Sequence, residues 1–224
     1  MHPLIEKARR EDRHLLEPEA LGLLEEYGIV VPRHVAVHSE QEALAAARDL
    51  GFPVTMKIVS RHILHKTESG GVALDLRDED GVKEAFSRLA SVGGGEKKGD
   101  GFILYPFQAH EVELAMGMVR DAQFGPVMTF GLGGIWIEAL RDLAYGIAPL
   151  SPEEAEEMLR SIRGRSLLEG LRGREPADRR ALCEVLVRLS RMALEETAIR
   201  EIDLNPVFPL SKGCFIADVR VVIR

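Results

Sequence analysis

The chain has 224 residues, of which 46% are hydrophobic and 29% are charged, and this composition suits one large or two small globular domains. Its 29 lysines and arginines are outnumbered by 36 aspartates and glutamates, and the formal net charge of -7 argues against a dominant electrostatic attraction to nucleic acid or to anionic membranes. No apolar run approaches the ~20 residues that cross a bilayer, and residues 1–19 lack the apolar segment of a signal peptide, so we expect a cytoplasmic protein. Cys183 and Cys214 form no CxxC pair and are expected to be buried free thiols.

The first 60 residues predict two helix–strand units in succession. The predicted elements are a helix over 18–27, a strand over 29–37, a helix over 40–50 and a strand over 54–59. The second helix has the clearest boundaries, because Ser39 with Glu42 three residues later forms a capping box and Gly51 follows the last turn.

Residues 72–101 continue the first predicted lobe. Val72, Leu74 and Leu76 alternate with less apolar residues, as expected for a half-buried strand, and a segment with helical spacing follows over 82–89. The sequence GGGEKKGDG at 93–101 is rich in glycine and charge. We interpret it as a mobile loop or as the connection between two lobes.

The second half predicts an antiparallel sheet and two helices. The strands are expected over 102–105, 112–119, 127–130, 135–140 and 145–148. Their connections are too short for βαβ crossovers, and DAQFGP at 121–126 predicts a hairpin turn. A helix begins near Ser151, and Asp178 is expected to cap a longer one with a single apolar stripe that packs on the sheet. With a closing strand over 214–222, the pattern predicts an α+β fold of two mixed lobes.

The segment MKIVSRHILHKTESGGV at 56–72 is the richest candidate site. Lys57 can deliver a positive charge to a phosphate, and Gly70 with Gly71 allows close approach of the backbone and a nest of amides. His65 lies between them and could carry or guide a phosphoryl group. The alternative is a polar hairpin loop, because the Walker spacing GxxxxGK[ST] is absent.

A second feature is the sequence GLGG at 131–134, which joins two apolar segments. Most such runs are tight turns in which glycine supplies a positive φ, and a minority contact a ligand. The motif alone therefore leaves both interpretations open.

A third feature is the oxygen-bearing set Asp203, Asn205 and Asp218. Asp203 and Asn205 are two residues apart on an extended segment, so their side chains share a face, and a neighbouring strand could bring Asp218 beside them. Such a set predicts a magnesium ion held on substrate phosphates. Capping side chains before Pro206 are the alternative.

Seven sequence blocks occur in an order that is typical of one protein family. They are YGIVVP at 27–32, LGFPVTMKIVS at 50–60, HKTESGGV at 65–72, FGPVMTFGLGGIWIE at 124–138, LRGREPAD at 171–178, EIDLNPV at 201–207 and ADVR at 217–220. Together they resemble the ATP-grasp β subunit of ADP-forming acetyl-CoA synthetases, in the NDP-forming acyl-CoA synthetase family related to succinyl-CoA synthetase. The resemblance covers nearly the whole chain. It implies one ATP-grasp domain over 1–224, with ATP clamped between two lobes that meet near 93–101.

The resemblance also implies roles for individual residues. Lys57 resembles the lysine directed toward the ATP phosphates, and Glu113 resembles the acid on the ribose side. Asn205 and Asp218 resemble the magnesium ligands.

Two further residues have implied roles in phosphoryl transfer. His65 matches the histidine of the HKTE motif, which in this family looks like a second phosphoryl acceptor. Asp203 is expected to orient the metal site or to meet the incoming phosphohistidine.

Two positions depart from the family pattern. The adenine hinge, which usually reads Gln-Glu-Met, is Tyr105-Pro106-Phe107, so Tyr105 and Phe107 would contact the base and Pro106 has no N–H to offer it. Gly146 stands where the family commonly has an arginine. The first departure predicts weaker or less selective recognition of the base, and the second removes a cation that could contact phosphate or the partner.

The resemblance implies an acid–CoA ligase subunit that uses Mg2+ and interconverts acyl-CoA, ADP and phosphate with free acid, CoA and ATP. A CoA-binding α subunit that carries the phosphohistidine would be its partner, and activity would require that partner. A non-catalytic or regulatory nucleotide-binding module is the first alternative, which the two departures favour. A stand-alone carboxylate–amine ligase is the second, and it leaves the HKTE motif without a role.

Overall fold

The computed structural model describes residues 1–61, 66, 69–92, 100–134, 140–170 and 175–223. They form two compact units. The large unit contains Met1–Val31 and His110–Arg224, and the small unit contains Pro32–Ala109.

The described helices and strands are numbered in chain order. The helices are α1 (Pro3–Arg10), α2 (Glu17–Glu26), α3 (Glu40–Leu50), α4 (Glu79–Val92), α5 (Pro152–Ser161) and α6 (Arg179–Glu195), with a 3-10 helix at Arg163–Leu168. The strands are β1 (Val35–Val37), β2 (Val54–Ile58), β3 (Val72–Leu76), β4 (Phe102–Pro106), β5 (Leu114–Asp121), β6 (Gly125–Leu132), β7 (Leu143–Ile147), β8 (Ile199–Pro209), β9 (Cys214–Ile216) and β10 (Arg220–Ile223).

The small unit is an antiparallel sheet with the strand order β1-β4-β2-β3 and two helices on one face. Alternate residues of β2 pack against α3 and α4, and these are Val54, Met56 and Ile58. The predicted cap of α3 is confirmed, because the Ser39 hydroxyl accepts a hydrogen bond from the Glu42 N–H at 3.2 Å. The strand predicted over 29–37 is limited to β1, and Pro32, which has no amide hydrogen, precedes it.

The predicted facing of β3 is wrong. Leu74 is 59% exposed, whereas Ala73 is 4% exposed and lies in the core. The cause is a register shift between β2 and β3, which pairs Val54 with Leu76 and Met56 with Ala73. Two residues of β3 that are three apart therefore face the core, and simple alternation fails at the irregularity.

Strand β4 belongs to the small unit, because it pairs with both β1 and β2. The prediction that this segment belongs with the strands that follow it is therefore wrong. The two units therefore part at 31/32 and 109/110, which differs from the lobe boundary predicted near 93–101.

The large unit contains a second antiparallel sheet with the strand order β10-β8-β5-β6-β7, and β9 also pairs with β8. The predicted hairpin is confirmed, since β5 pairs with β6 and the Asp121 carboxylate accepts the N–H groups of Gln123 and Phe124. Helix α6 packs on β5 and β6 through the predicted stripe, which is fully or almost fully buried. The closing strand predicted over 214–222 is divided into β9 and β10, and most of the strand predicted over 135–140 lies outside the described residues.

Both cysteines are free thiols, as predicted, but only Cys183 belongs to the buried class, because Cys214 near the start of β9 is partly exposed. Burial raises the pKa of the Cys214 thiol to about 11, and burial together with Glu156 raises the pKa of the Cys183 thiol to about 12. Neither thiol is therefore ionised to a useful extent at neutral pH. Within the described part of the chain, no helix combines the length and the apolar character needed to cross a membrane.

Candidate functional site

In the large unit, strand register brings Asn205 and Asp218 together. Strand β8 pairs with β9 before residues 217–219 and with β10 after them, and the register is the same on both sides. The Ala217 N–H donates to the Pro206 carbonyl at 3.0 Å, which keeps this register across the gap. Asn205 is therefore the residue of β8 that aligns with Asp218, and both lie on the face away from the buried Leu204 and Val219. Residues 217–219 form no strand, and the register of β5 with β8 shifts between Leu204 and Val207.

Asp203 shares that face with Asn205, as its spacing on β8 predicted. Its carboxylate lies 3.7 Å from an Arg220 nitrogen, which also donates to the Glu201 carboxylate at 2.5 Å. Arg220 thus offsets part of the negative charge on this face. Arg220 is a further candidate site residue, and its place two residues after Asp218 was the available sequence signal.

The glycine turn after β6 leaves room for two predicted site residues. A Cβ at Gly133 would lie 3.1 Å from Asn205 Oδ1, and a Cβ at Gly134 would lie 2.1 Å from Glu113 Oε2. The Gly133 N–H also donates to the Glu113 carbonyl at 2.8 Å. Gly131 and Leu132 therefore end β6, and only Gly133 and Gly134 form the turn, which contacts both Asn205 and Glu113.

Glu113 is held from its other side by a histidine. His110 Nε2 lies 2.9 Å from Glu113 Oε1, and the imidazole ring stacks on Phe208 with a centroid distance of 3.6 Å and an interplanar angle of 5°. Phe208 in turn stacks on Phe215, with centroids 5.9 Å apart. His110 is a further candidate site residue, and its spacing of three residues from Glu113 was the available sequence signal.

In the small unit, Lys57 lies on the face of β2 opposite to the helices. Its side chain is buried, with 6% exposure, and its Nζ lies 5.0 Å from the centroid of the Tyr105 ring. Strands β2 and β4 pair Thr55 with Tyr105, which places the ring on the same face as Lys57. A cation over an aromatic face is stabilised by the ring quadrupole, so Tyr105 helps to hold the ammonium group.

The hinge residues offer few groups to a nucleotide base. Tyr105 is 2% exposed, so its ring supports Lys57 inside the small unit. Pro106 has no N–H, and the Phe107 N–H already donates to the Pro53 carbonyl at 2.9 Å. The predicted contacts of Tyr105 and Phe107 with the base would therefore have to come from other atoms of these residues.

The two glycines before β3 differ in what they provide. The Gly71 N–H donates to the Lys66 carbonyl at 2.7 Å, so this amide closes the turn. The prediction that it is directed at a phosphate is therefore wrong. Gly70 has a φ of 71°, which favours glycine, and apart from its chain neighbours no atom of the described residues lies within 4 Å of its Cβ position. His65, the predicted phosphoryl acceptor, lies outside the described residues.

Gly146 is explained by packing. A Cβ at this position would lie 2.7 Å from a Leu150 side-chain carbon and 2.9 Å from the Met158 sulfur. A side chain at 146 would enter this apolar layer, whereas its neighbours Tyr145 and Ile147 are exposed on the opposite face. In this chain, the glycine at 146 therefore keeps the contact between β7 and α5 close.

Asn205 and Asp218 suit a metal ion whose other ligands come from a bound nucleotide. No group of three or more His, Cys, Asp or Glu side chains among the described residues is arranged to hold a metal ion. Asn205 and Asp218 provide two oxygen donors, and Mg2+ is commonly held by one or two protein oxygens together with substrate phosphates. The pair is therefore suited to a nucleotide-bound magnesium ion.

The sequence matches characterised proteins along almost its whole length. An ATP-grasp domain family matches residues 6–223. The β subunit of the ADP-forming acetate–CoA ligase I of Pyrococcus furiosus is 39% identical over 223 residues, which cover 98% of this chain and 96% of that subunit. The ADP-forming acetate–CoA ligase II of Archaeoglobus fulgidus is 41% identical over 209 residues, which cover 93% of this chain and 30% of that longer protein.

A solved relative is the acetyl-coenzyme A synthetase 1 of Ca. Korarchaeum cryptofilum, in complex with coenzyme A and Ca-AMPCP. It matches with a TM-score of 0.94 and 39% identity, over 99% of this chain and 98% of that chain. Another structure of that protein contains coenzyme A and Mg-AMPPCP, and its phosphohistidine segment points towards the nucleotide binding site. This second structure matches with a TM-score of 0.86 and 38% identity, over the same shares of the two chains.

Proposed function

The chain belongs to the ATP-grasp domain family, and we propose that it is the nucleotide-binding β subunit of an ADP-forming acyl-CoA synthetase. The family match and the similarity to the solved structure confirm the resemblance and the ATP-grasp fold that were predicted from the sequence. The reaction would interconvert acyl-CoA, ADP and phosphate with free acid, CoA and ATP. The observation that carries the proposal is the end-to-end similarity to the β subunit of such a ligase. A cytoplasmic location, where these substrates are available, is part of the proposal.

The large unit supplies groups for the nucleotide. Asn205 and Asp218 would hold Mg2+ on the phosphates, where a divalent cation offsets the charge of a transferring phosphoryl group. Asp203, fixed beside Arg220, would orient this pair or meet the incoming phosphohistidine. Glu113 would accept hydrogen bonds from the ribose hydroxyls.

The small unit supplies a cation. Lys57 is buried over the Tyr105 ring, so its ammonium group is confined to a narrow range of positions. An ordered cation at the phosphates stabilises negative charge without reorganising during the reaction. Tyr105 would thus act on the nucleotide through Lys57.

A partner subunit completes the reaction in this proposal. A CoA-binding α subunit would form the acyl phosphate and carry its phosphoryl group on a histidine. The phosphoryl group would then move to His65, breaking one P–N bond and forming another, and from His65 to a β-phosphate oxygen of ADP. Since water takes no part in these transfers, the phosphoryl group is conserved in ATP.

The experiment that tests the proposal is reconstitution with the α partner and measurement of acid- and CoA-dependent ATP consumption. The chain alone should be inactive, and the complex should turn over. His65→Asn should keep nucleotide binding and abolish turnover. His62→Asn is the matched control, because it removes a histidine from the same segment, and it should remain active. Wild-type turnover by His65→Asn would exclude the relay, and robust turnover by the single chain would exclude the subunit function.

The hinge supports one second candidate, a non-catalytic nucleotide-binding module. Pro106 lacks an N–H and the Phe107 N–H is donated to Pro53, so the base has fewer partners than a hinge with free amides would offer. A reconstituted complex that binds Mg-ADP but shows no acid-dependent ATP consumption would favour this candidate. ATP consumption with an amine in place of CoA would instead indicate a carboxylate–amine ligase.

A further inference from the structure

We infer that His110 is a positioning residue for the Glu113 carboxylate, and that it determines how strongly the site prefers a ribose over a sugar without hydroxyl groups. The inference rests on the proposed function, in which Glu113 binds the ribose. His110 Nε2 is 2.9 Å from Glu113 Oε1. Because an ionised carboxylate only accepts hydrogen bonds, the imidazole nitrogen is the donor in this pair.

The imidazole is itself fixed. Its ring is nearly parallel to that of Phe208, with an interplanar angle of 5° and a centroid distance of 3.6 Å. Phe208 is buried in β8 and stacks on Phe215 of β9. His110 therefore connects Glu113 to the paired strands β8 and β9 of the second sheet, in the manner of an outer residue that orients a binding group.

The two oxygens of Glu113 have different surroundings. Oε1 accepts from His110, and Oε2 lies over Gly134, where a Cβ would be only 2.1 Å away. Both the His110 and the Glu113 side chains remain about one-third exposed, at 28% and 32%, so a ligand can reach the pair. A carboxylate that is held at Oε1 by a hydrogen bond loses less conformational freedom when it accepts hydrogen bonds from a ribose.

Two substitutions separate the hydrogen bond from the stacking contact. His110→Phe keeps an aromatic ring over Phe208 and removes the N–H, whereas His110→Gln keeps an N–H donor and removes the ring. For each full-length variant, calorimetry in Mg2+ would give the ratio of the dissociation constants for 2′,3′-dideoxy-ADP and ADP. Glu113→Gln is measured in the same way, and thermal unfolding shows whether each variant is folded.

We expect wild-type protein to prefer ADP, and His110→Phe to reduce that preference by about tenfold, which is the scale of a hydrogen bond to a charged acceptor. His110→Gln should restore part of it. If Glu113→Gln reduces the preference and His110→Phe does not, the inference is wrong and the proposed role of Glu113 stands. If Glu113→Gln also leaves the ratio unchanged, or if the wild-type protein does not bind ADP, both the ribose assignment and the inference fail.

Discussion

Replacing Gly134 with alanine should weaken Mg-ADP binding about tenfold or more without unfolding the chain. The new Cβ would lie 2.1 Å from Glu113 Oε2, and real Cβ contacts essentially never fall below 3.0 Å. The carboxylate must therefore retreat by about 1 Å, which breaks the geometry that the ribose hydroxyls require. Hydrogen bonds to an ionised group contribute about 1.5–3 kcal/mol, which corresponds to a factor of roughly 10 to 100 in affinity.

Alanine at this position also strains the backbone, because Gly134 has a φ of +56°. That strain costs about 1–2 kcal/mol and must be separated from the effect on Glu113. Gly125→Ala is the matched control, since Gly125 has a φ of +74° at the start of β6 and, within the part of the chain that the structure describes, only its chain neighbours lie within 4 Å of its Cβ position. It should lose similar stability in thermal unfolding and keep its affinity for Mg-ADP.

Isothermal titration of both variants with Mg-ADP is the decisive measurement. Wild-type affinity in a folded Gly134→Ala variant would show that Glu113 does not contact the nucleotide. Equal weakening by Gly134→Ala and Gly125→Ala would show that backbone strain, and not the displaced carboxylate, controls binding.

Three further outcomes are expected. Asp218→Asn should remove most of the gain in ADP affinity that Mg2+ provides and leave the affinity in EDTA unchanged, so an equal loss in both conditions would argue against the metal site. With the Phe107 N–H donated to Pro53, competition titrations should place ATP and GTP within about tenfold, or ~1.4 kcal/mol, and strong selectivity for ATP would contradict this. The N–H groups of Gly213 and Ala181 hold the pKa of Asp178 below its usual range, so this cap stabilises the fold above the unfolded carboxyl pKa of about 3.9 and its contribution is lost as pH falls through the folded value. Asp178→Ala should therefore lower the free energy of unfolding by about 1 kcal/mol at pH 7 and by much less near pH 2, whereas an equal loss at both would contradict the cap.

The sequence was sufficient for elements whose signals are local. The cap at Ser39 and the turn between β5 and β6 depend on residues within a few positions of one another. The apolar stripe of α6 follows from helical periodicity alone. The facing of β3 and the sheet membership of β4 depend on pairing with distant strands, and neither alternation nor chain order contains that information.

The candidate site also combines features that local sequence signals predict with features that depend on distant contacts. The shared face of Asp203 and Asn205 was predictable because the two residues are two apart on a strand, and the alignment of Asp218 with Asn205 agrees with the expectation that a neighbouring strand could bring it there. The contact of Gly134 with Glu113 and the stacking of His110 on Phe208 join segments that are far apart in sequence or depend on side-chain orientation. Such contacts appear only when the tertiary structure is known.

The adjacent glycines of the turn are required for different reasons. A Cβ at Gly133 would lie 2.8 Å from the backbone carbonyl of Leu114, which is fixed in β5 and cannot move without disturbing the sheet. A Cβ at Gly134 meets the end of the Glu113 side chain, which can rotate away. The first glycine therefore protects the strand pairing that positions Asn205, and the second protects the orientation of a single carboxylate. Asn205 Oδ1 packs against Gly133, and Glu113 Oε2 packs against Gly134. The same two-residue turn therefore positions both the proposed metal ligand and the proposed ribose ligand.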